Sequence, residues 1–155
     1  MAMVFQGSVT INSPRQHVYD FLTDPNKVSA CAAEVQKLDV TGDNTFKVVA
    51  KAGVGFVKAT FSLDVTWLER DPPTRARARA KGNAPGSAVD LTAEMNLSDA
   101  DGGATKLDWK AEVTVAGTIA SVGSRLLQGA ANKITGDVFN CVKRTLEAEA
   151  PAAAT

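Results

Sequence analysis

Residues 57–67 read VKATFSLDVTW. In an extended chain Val57, Ala59, Phe61, Leu63, Val65 and Trp67 fall on one face, while Lys58, Thr60, Ser62, Asp64 and Thr66 fall on the other. A strand that is apolar on one side and polar on the other belongs in an antiparallel sheet with one buried and one solvated face. The neighbouring sequence repeats the pattern. SAVDLTAEMNL (87–97) places Val89, Leu91, Ala93, Met95 and Leu97 together, and Leu107, Trp109, Ala111, Val113 and Val115 follow the turn-like SDADGGAT. RARARAK (75–81) alternates alanine with base after the turn RDPPT. Upstream, EVQKLDV and TFKVVAKA flank Gly42-Asp43-Asn44 as a hairpin, and Gly53 and Gly55 mark the next turn. FQGSVTIN opens the chain with Phe5, Val9 and Ile11 on one face.

Two short helices are expected after this first strand. Ser13-Pro14 reads as an N-cap with a proline at the first helical position, for a helix through RQHVYDFLTD. Asp24-Pro25 repeats the signal for a shorter helix from Asn26 to about Ala30. Residues 118–148 carry Ile119, Val122, Leu126, Ala130, Ile134, Val138 and Cys141 at spacings of three and four, which predicts one long helix with a wide apolar stripe, broadened by Leu127, Phe139, Val142 and Leu146. The expected fold is therefore α+β: a curved antiparallel sheet of about seven strands gripping a long C-terminal helix. A single domain over 1–148 and a disordered tail over 149–155 are expected.

Composition narrows the function classes. The 155 residues carry 17 Lys+Arg against 17 Asp+Glu, a formal net charge of +0, so no global field draws in nucleic acid. The N-terminus has no basic segment followed by an apolar run, and no apolar stretch approaches the ~20 residues of a membrane span. Without a signal, Cys31 and Cys141, far apart in sequence, are expected to be free thiols in a cytoplasmic protein.

The quoted segments also carry a resemblance. FQGSVTI (5–11), SPRQHVYDFLTDPNKV (13–28), Cys31, GVGFVKATF (53–61) and WKAEVTVAGTIASVGSRLL (109–127) are similar to the carbon monoxide dehydrogenase G-subunit family, within the START-like (Bet v 1-like, polyketide cyclase or SRPBCC) superfamily. The similarity runs from Phe5 to about Leu146. It implies a helix-grip fold and a non-catalytic protein with an apolar cavity, working with a molybdenum-containing hydroxylase. Some relatives are thought to carry a quinone or to help recruit the dehydrogenase to a membrane; here, membrane contact is expected to be at most peripheral. Ala32-Ala33-Glu34 follow Cys31 where the family usually has a proline and a glycine, so the cavity mouth is expected to be shaped differently.

The residues themselves favour the same reading. Ala59, Ala76, Ala78, Ala80, Ala93 and Ala111 on the inner face, with glycines at 117, 123, 129 and 136 along the covering helix, leave room between sheet and helix. The lining is expected to comprise Phe61, Leu63, Trp67, Ala78, Leu91, Met95, Trp109, Val113, Val122, Leu126 and Ile134, with Val28 and Cys31 at the mouth. Such walls suit a small hydrophobic ligand, aromatic or quinone-like. Catalysis is not expected. The single histidine, His17, has no partner signature that would make Cys31 a nucleophile, and one histidine with two distant cysteines gives no metal-ligand spacing. No cofactor is expected. The basic row Arg75, Arg77, Arg79 and Lys81 either pairs with acids on adjacent strands or docks a protein partner such as the dehydrogenase. A cyclase- or hydrolase-like enzyme is the remaining alternative.

Overall fold

A computed structural model describes residues 1–55 and 57–149. The strands are β1 (Ala2–Ile11), β2 (Val35–Val40), β3 (Thr45–Val54), β4 (Val57–Asp71), β5 (Arg75–Ala84), β6 (Ser87–Asp99) and β7 (Thr105–Gly117). They form one seven-stranded sheet in the order β1-β7-β6-β5-β4-β3-β2, every neighbouring pair antiparallel. Helices α1 (Arg15–Leu22) and α2 (Pro25–Ser29) follow β1, and α3 (Ser124–Glu149) closes the described chain. Glu149 is thus helical, and the rest of the expected tail, 150–155, lies outside the described residues.

The alternation in β4 survives folding intact. Phe61 is buried, Leu63, Val65 and Trp67 are half-buried, and the intervening Ser62, Asp64 and Thr66 are exposed. Registers Trp67↔Ala78, Ala78↔Ala93 and Ala93↔Ala111 carry small residues across the middle of the concave face. Gly7 lies opposite Trp109, and a Cβ there would stand 2.9 Å from the indole Nε1. The missing side chain lets the ring lie flat across β1.

Two helix starts differ from expectation. Asp24 caps α2 by accepting from the Asn26 amide at 3.0 Å, with Pro25 at the first helical position, as the sequence signals. At α1 the cap is Pro14, one residue later than predicted, and the Ser13 side chain makes no capping bond. Ser13 is instead buried beside β7, and its carbonyl accepts from Thr105 Oγ1 at 2.7 Å. The predicted single helix from Thr118 also divides. Thr118–Val122 is a 3-10 turn, Gly123 takes φ +91°, and the α-helix proper begins at Ser124. A left-handed residue cannot continue a right-handed helix, which is why glycine stands at the break.

The break resets the face that α3 presents. Leu127, Val142 and Leu146 are buried, whereas Leu126 is 47% exposed. Gly129 and Gly136 have nothing within 4 Å of a built Cβ, so they face away from the sheet and do not create the space assigned to them. The hydrophobic contacts fall into two clusters. One joins Ile11, Val18, Tyr19, Phe21, Leu107, Val142 and Leu146 at the α1 end; the other joins Met3, Phe61, Val115, Ile119 and Leu127 at the opposite end. α3 is thereby pinned near both ends and spans the concave sheet between them.

The cysteines overturn the expectation of free thiols. Cys31 and Cys141, 110 residues apart in sequence, form a disulfide with a Cα–Cα distance of 5.4 Å. Separation along the chain says little about separation in space once the turn after α2 packs beside α3.

Candidate functional site: an apolar groove beneath the long helix

Between its two pinned ends α3 stands off the sheet, and two cavities open there. The first, of about 330 Å³, lies between α3 and the inner faces of β1, β3, β4, β6 and β7, with Phe5, Phe61, Leu91 and Val113 in its walls. The second, of about 360 Å³, is bounded by Trp67, Ala76, Ala78, Ala93 and Met95 from the sheet and by Val138 and Phe139 from α3. Trp109, Ala111, Ile134 and Thr135 line both, so the two are lobes of one groove with a waist at Trp109. Phe139 stacks on Trp109 with ring centroids 5.8 Å apart and planes at 30°. That contact fixes the indole from above, as the Gly7 gap does from the side.

Alanines account for the space. Ala76, Ala78, Ala93 and Ala111 sit where β5, β6 and β7 pass under the middle of α3, and none reaches across to it. Among the described residues Thr135 is the one hydroxyl-bearing residue of the first lobe. Glu94 and Lys110 border the second, but the Glu94 carboxylate turns to the outer face, 3.3 Å from Arg75. An apolar space this size admits one or two fused rings or a short chain, and offers a guest little to hydrogen-bond.

Of the residues anticipated for the lining, the structure places Phe61, Leu91 and Val113 in the first lobe and Trp67, Ala78 and Met95 in the second, with Trp109 and Ile134 in both. Leu63 and Val122 pack instead against the cluster around Phe61 and Ile119. Leu126 points to solvent beside Gly55. Val28 and Cys31 are in neither wall; they pack against the core cluster of Ile11, Val18, Tyr19 and Leu146, which also receives Trp67, Met95 and Phe139. Leu127 and Phe139, expected on the helix's apolar stripe but not in the lining, are part of it, as is Thr135, which no sequence signal singled out. Gly123 is the signal for Leu127, since a helix phased from Ser124 makes it the first buried turn.

The titratable groups lie elsewhere. His17 Nε2 is 2.7 Å from Glu149 Oε2 on the outside of α1, and Cys31 Sγ is bonded to Cys141, so the two do not form a nucleophile and base. Among the described residues no cluster of His, Cys, Asp or Glu could hold a metal ion. On the convex face the basic strand is neutralised from both sides. Arg75 lies 3.7 Å from Glu69 and 3.3 Å from Glu94, and Arg77 lies 4.0 Å from Glu94. Arg79 binds Asp90 in a fork at 3.2 and 2.8 Å. That fork holds the Asp90 carboxyl below the usual carboxylate range. Of the two readings of this row, cross-strand pairing is the one that Arg75, Arg77 and Arg79 adopt.

Comparison with other proteins fits this architecture. The profile of the CoxG family, the G subunits of carbon monoxide dehydrogenase, matches residues 7–147. No curated protein matches the sequence. Among solved structures, a conserved protein from Geobacillus kaustophilus has a TM-score of 0.87 at 22% identity, over 93% of this chain and 95% of that one. A START superfamily protein from Mycobacterium smegmatis has a TM-score of 0.72 at 7% identity, covering 93% and 97%. The Zhui aromatase/cyclase from Streptomyces sp. R1128 has 0.71 at 16%, covering 95% and 94%. At such identities the likeness shows the fold, which is the START-like helix grip read from the strand pattern. Among the described residues no helix is long and apolar enough to cross a membrane.

Proposed function

The chain belongs to the CoxG family, the carbon monoxide dehydrogenase G subunits, and from that premise we propose that it is a non-catalytic carrier of a small hydrophobic ligand held beneath α3. The observation that supports this most is the pair of apolar lobes joined at Trp109, Ala111 and Ile134. A flat aromatic or quinone-like ring fits the slot between the alanine floor and the α3 roof. The binding energy is apolar burial: a ligand covering roughly 300 Å² gains about 7 kcal/mol at ~25 cal/mol/Å², less the cost of losing its free motion. Phe61, Trp67, Ala78, Leu91, Met95, Trp109, Val113 and Ile134 are its contacts in this reading. The partner that receives or supplies the ligand is a molybdenum-containing dehydrogenase of the kind the family name denotes.

A cyclase role fits less well, although aromatase/cyclases share the fold. Steering a reactive chain through ring closure needs polar groups converging on it. The first lobe offers Thr135 and little else. Native mass spectrometry with organic extraction of the purified protein is expected to recover a lipophilic molecule. Decylubiquinone is expected to quench the Trp67 and Trp109 emission saturably. An empty extract together with linear, unsaturable quenching would overturn the carrier role.

A further inference from the structure

The segment between α1 and β2 is held to the rest of the molecule in an unusual way. α2 contributes no buried residue. The hydrogen bonds that shape it are local: Asn26 N to Asp24 Oδ1 at 3.0 Å, Cys31 N to the Val28 carbonyl at 2.9 Å, Ala32 N to the Ser29 carbonyl at 3.1 Å. They fix its form and do not attach it to the body. At its far end the Glu34 carbonyl accepts from Lys51 N on β3 at 2.8 Å. Between these anchors, residues 25–33 form a strap whose firm attachment is the bond from Cys31 to Cys141 on α3. Val28 and Cys31 add partial packing against the cluster that receives Trp67, Met95, Trp109, Val138 and Phe139. Those five residues also line the second lobe. The strap and the second lobe therefore lean on one core cluster, and the covalent tie reaches α3 at Cys141, two residues beyond Phe139.

We propose that Cys31 and Cys141 are a redox-operated clasp: closed as a disulfide, it ties the strap to α3 beside Phe139 of the second lobe, and opened by a dithiol reductant, it frees the strap and speeds exchange of the bound ligand. The ligand part rests on the carrier reading above; the movement of the strap does not. Neither cysteine is fully buried, and a disulfide opens by attack of a thiolate on one of its sulfurs. Attack on one sulfur forms a mixed disulfide and releases the other cysteine. The second thiol of the reductant then displaces the first cysteine. Overall, one S–S bond of the protein breaks, two electrons and two protons arrive to give two thiols, and the reductant leaves with its own disulfide. Without the tie, a five-residue helix with no fully buried side chain keeps only the partial packing of Val28 and its half-buried neighbours Pro25, Ser29, Cys31 and Ala32, and such segments open at low cost.

The test compares the full chain as purified with the same sample after dithiothreitol, using two readouts. The first is amide hydrogen exchange by mass spectrometry. Exchange across 25–33 is expected to rise roughly tenfold or more on reduction, while β6 and β7 stay protected. The second is stopped-flow release of N-phenyl-1-naphthylamine, a neutral aromatic fluorophore that dithiothreitol does not reduce, expected to quicken by about the same factor. Cys31→Ser/Cys141→Ser should mimic the reduced state. If that variant fails to fold, reduction of the native chain still decides. Unchanged exchange across 25–33 after full reduction would overturn the clasp, as would two freely alkylated thiols after treatment with oxidised glutathione. If the strap loosens but the fluorophore never binds, the clasp stands and the carrier reading fails alone.

Discussion

Reducing the disulfide is expected to lower the free energy of unfolding by about 4–5 kcal/mol on the chain-entropy account. The bond joins residues separated by 110 positions, so in the unfolded chain it closes a loop that covers most of the protein. A cross-link of that span withholds conformations from the unfolded state rather than adding contacts to the native one. Two consequences distinguish it from a packing effect. The urea midpoint should fall on reduction, and the slope of the transition should steepen, because the open chain exposes more surface when it unfolds. A loss below about 1 kcal/mol, at constant slope, would show that the unfolded chain gains little freedom on release. The thiols should nevertheless sit in a folded protein, since the two clusters and the sheet do not depend on the bond.

Leu146→Ala is expected to cost about 2–5 kcal/mol with the disulfide intact. Leu146 is 0% exposed and packs with Ile11, Val18, Phe21, Leu107 and Val142, where α3, α1 and the ends of β1 and β7 converge. Truncation there leaves a void that the surrounding elements cannot close, because each is fixed by its own strand or helix pairing. Leu126→Ala, on the same helix, should change stability by no more than ~0.5 kcal/mol, since that side chain is 47% exposed. Urea denaturation of both variants measures the contrast. Similar losses for the two would contradict the phasing of α3.

That contrast also marks what could be read from the residues alone. The sheet was legible because a period of two tolerates no ambiguity: in β4, β6 and β7 each inward residue follows from its neighbours, and the concave face came out as expected. The cavity floor was legible in part, since Ala76, Ala78, Ala93 and Ala111 line the lobes while Ala59 and Ala80, on the same face, do not. The helix was legible over most of its length, with Ala130, Ile134 and Val138 turned to the groove as their spacing predicts, and failed only beside the break at Gly123. Counting from Ile119 puts Leu126 inward, whereas the chain restarts at Ser124 and turns Leu127 inward. Ser13 had the composition of a cap but was claimed by β7, a tertiary contact no local pattern carries. The cysteine pair failed similarly. Nothing in the intervening sequence says that the turn after α2 lands on the last third of α3.

The groove beneath α3 is tested most directly by filling it. Ala111 lines both lobes at the waist. A phenyl group there should occupy the space a ligand would take, with little strain because the space is otherwise open. Titration of the oxidised wild type with N-phenyl-1-naphthylamine should give a saturable rise in emission. Ala111→Phe, unfolding at an unchanged urea midpoint, should give none. Equal saturable binding by a well-folded Ala111→Phe would place the ligand elsewhere and contradict a carrier site beneath the helix.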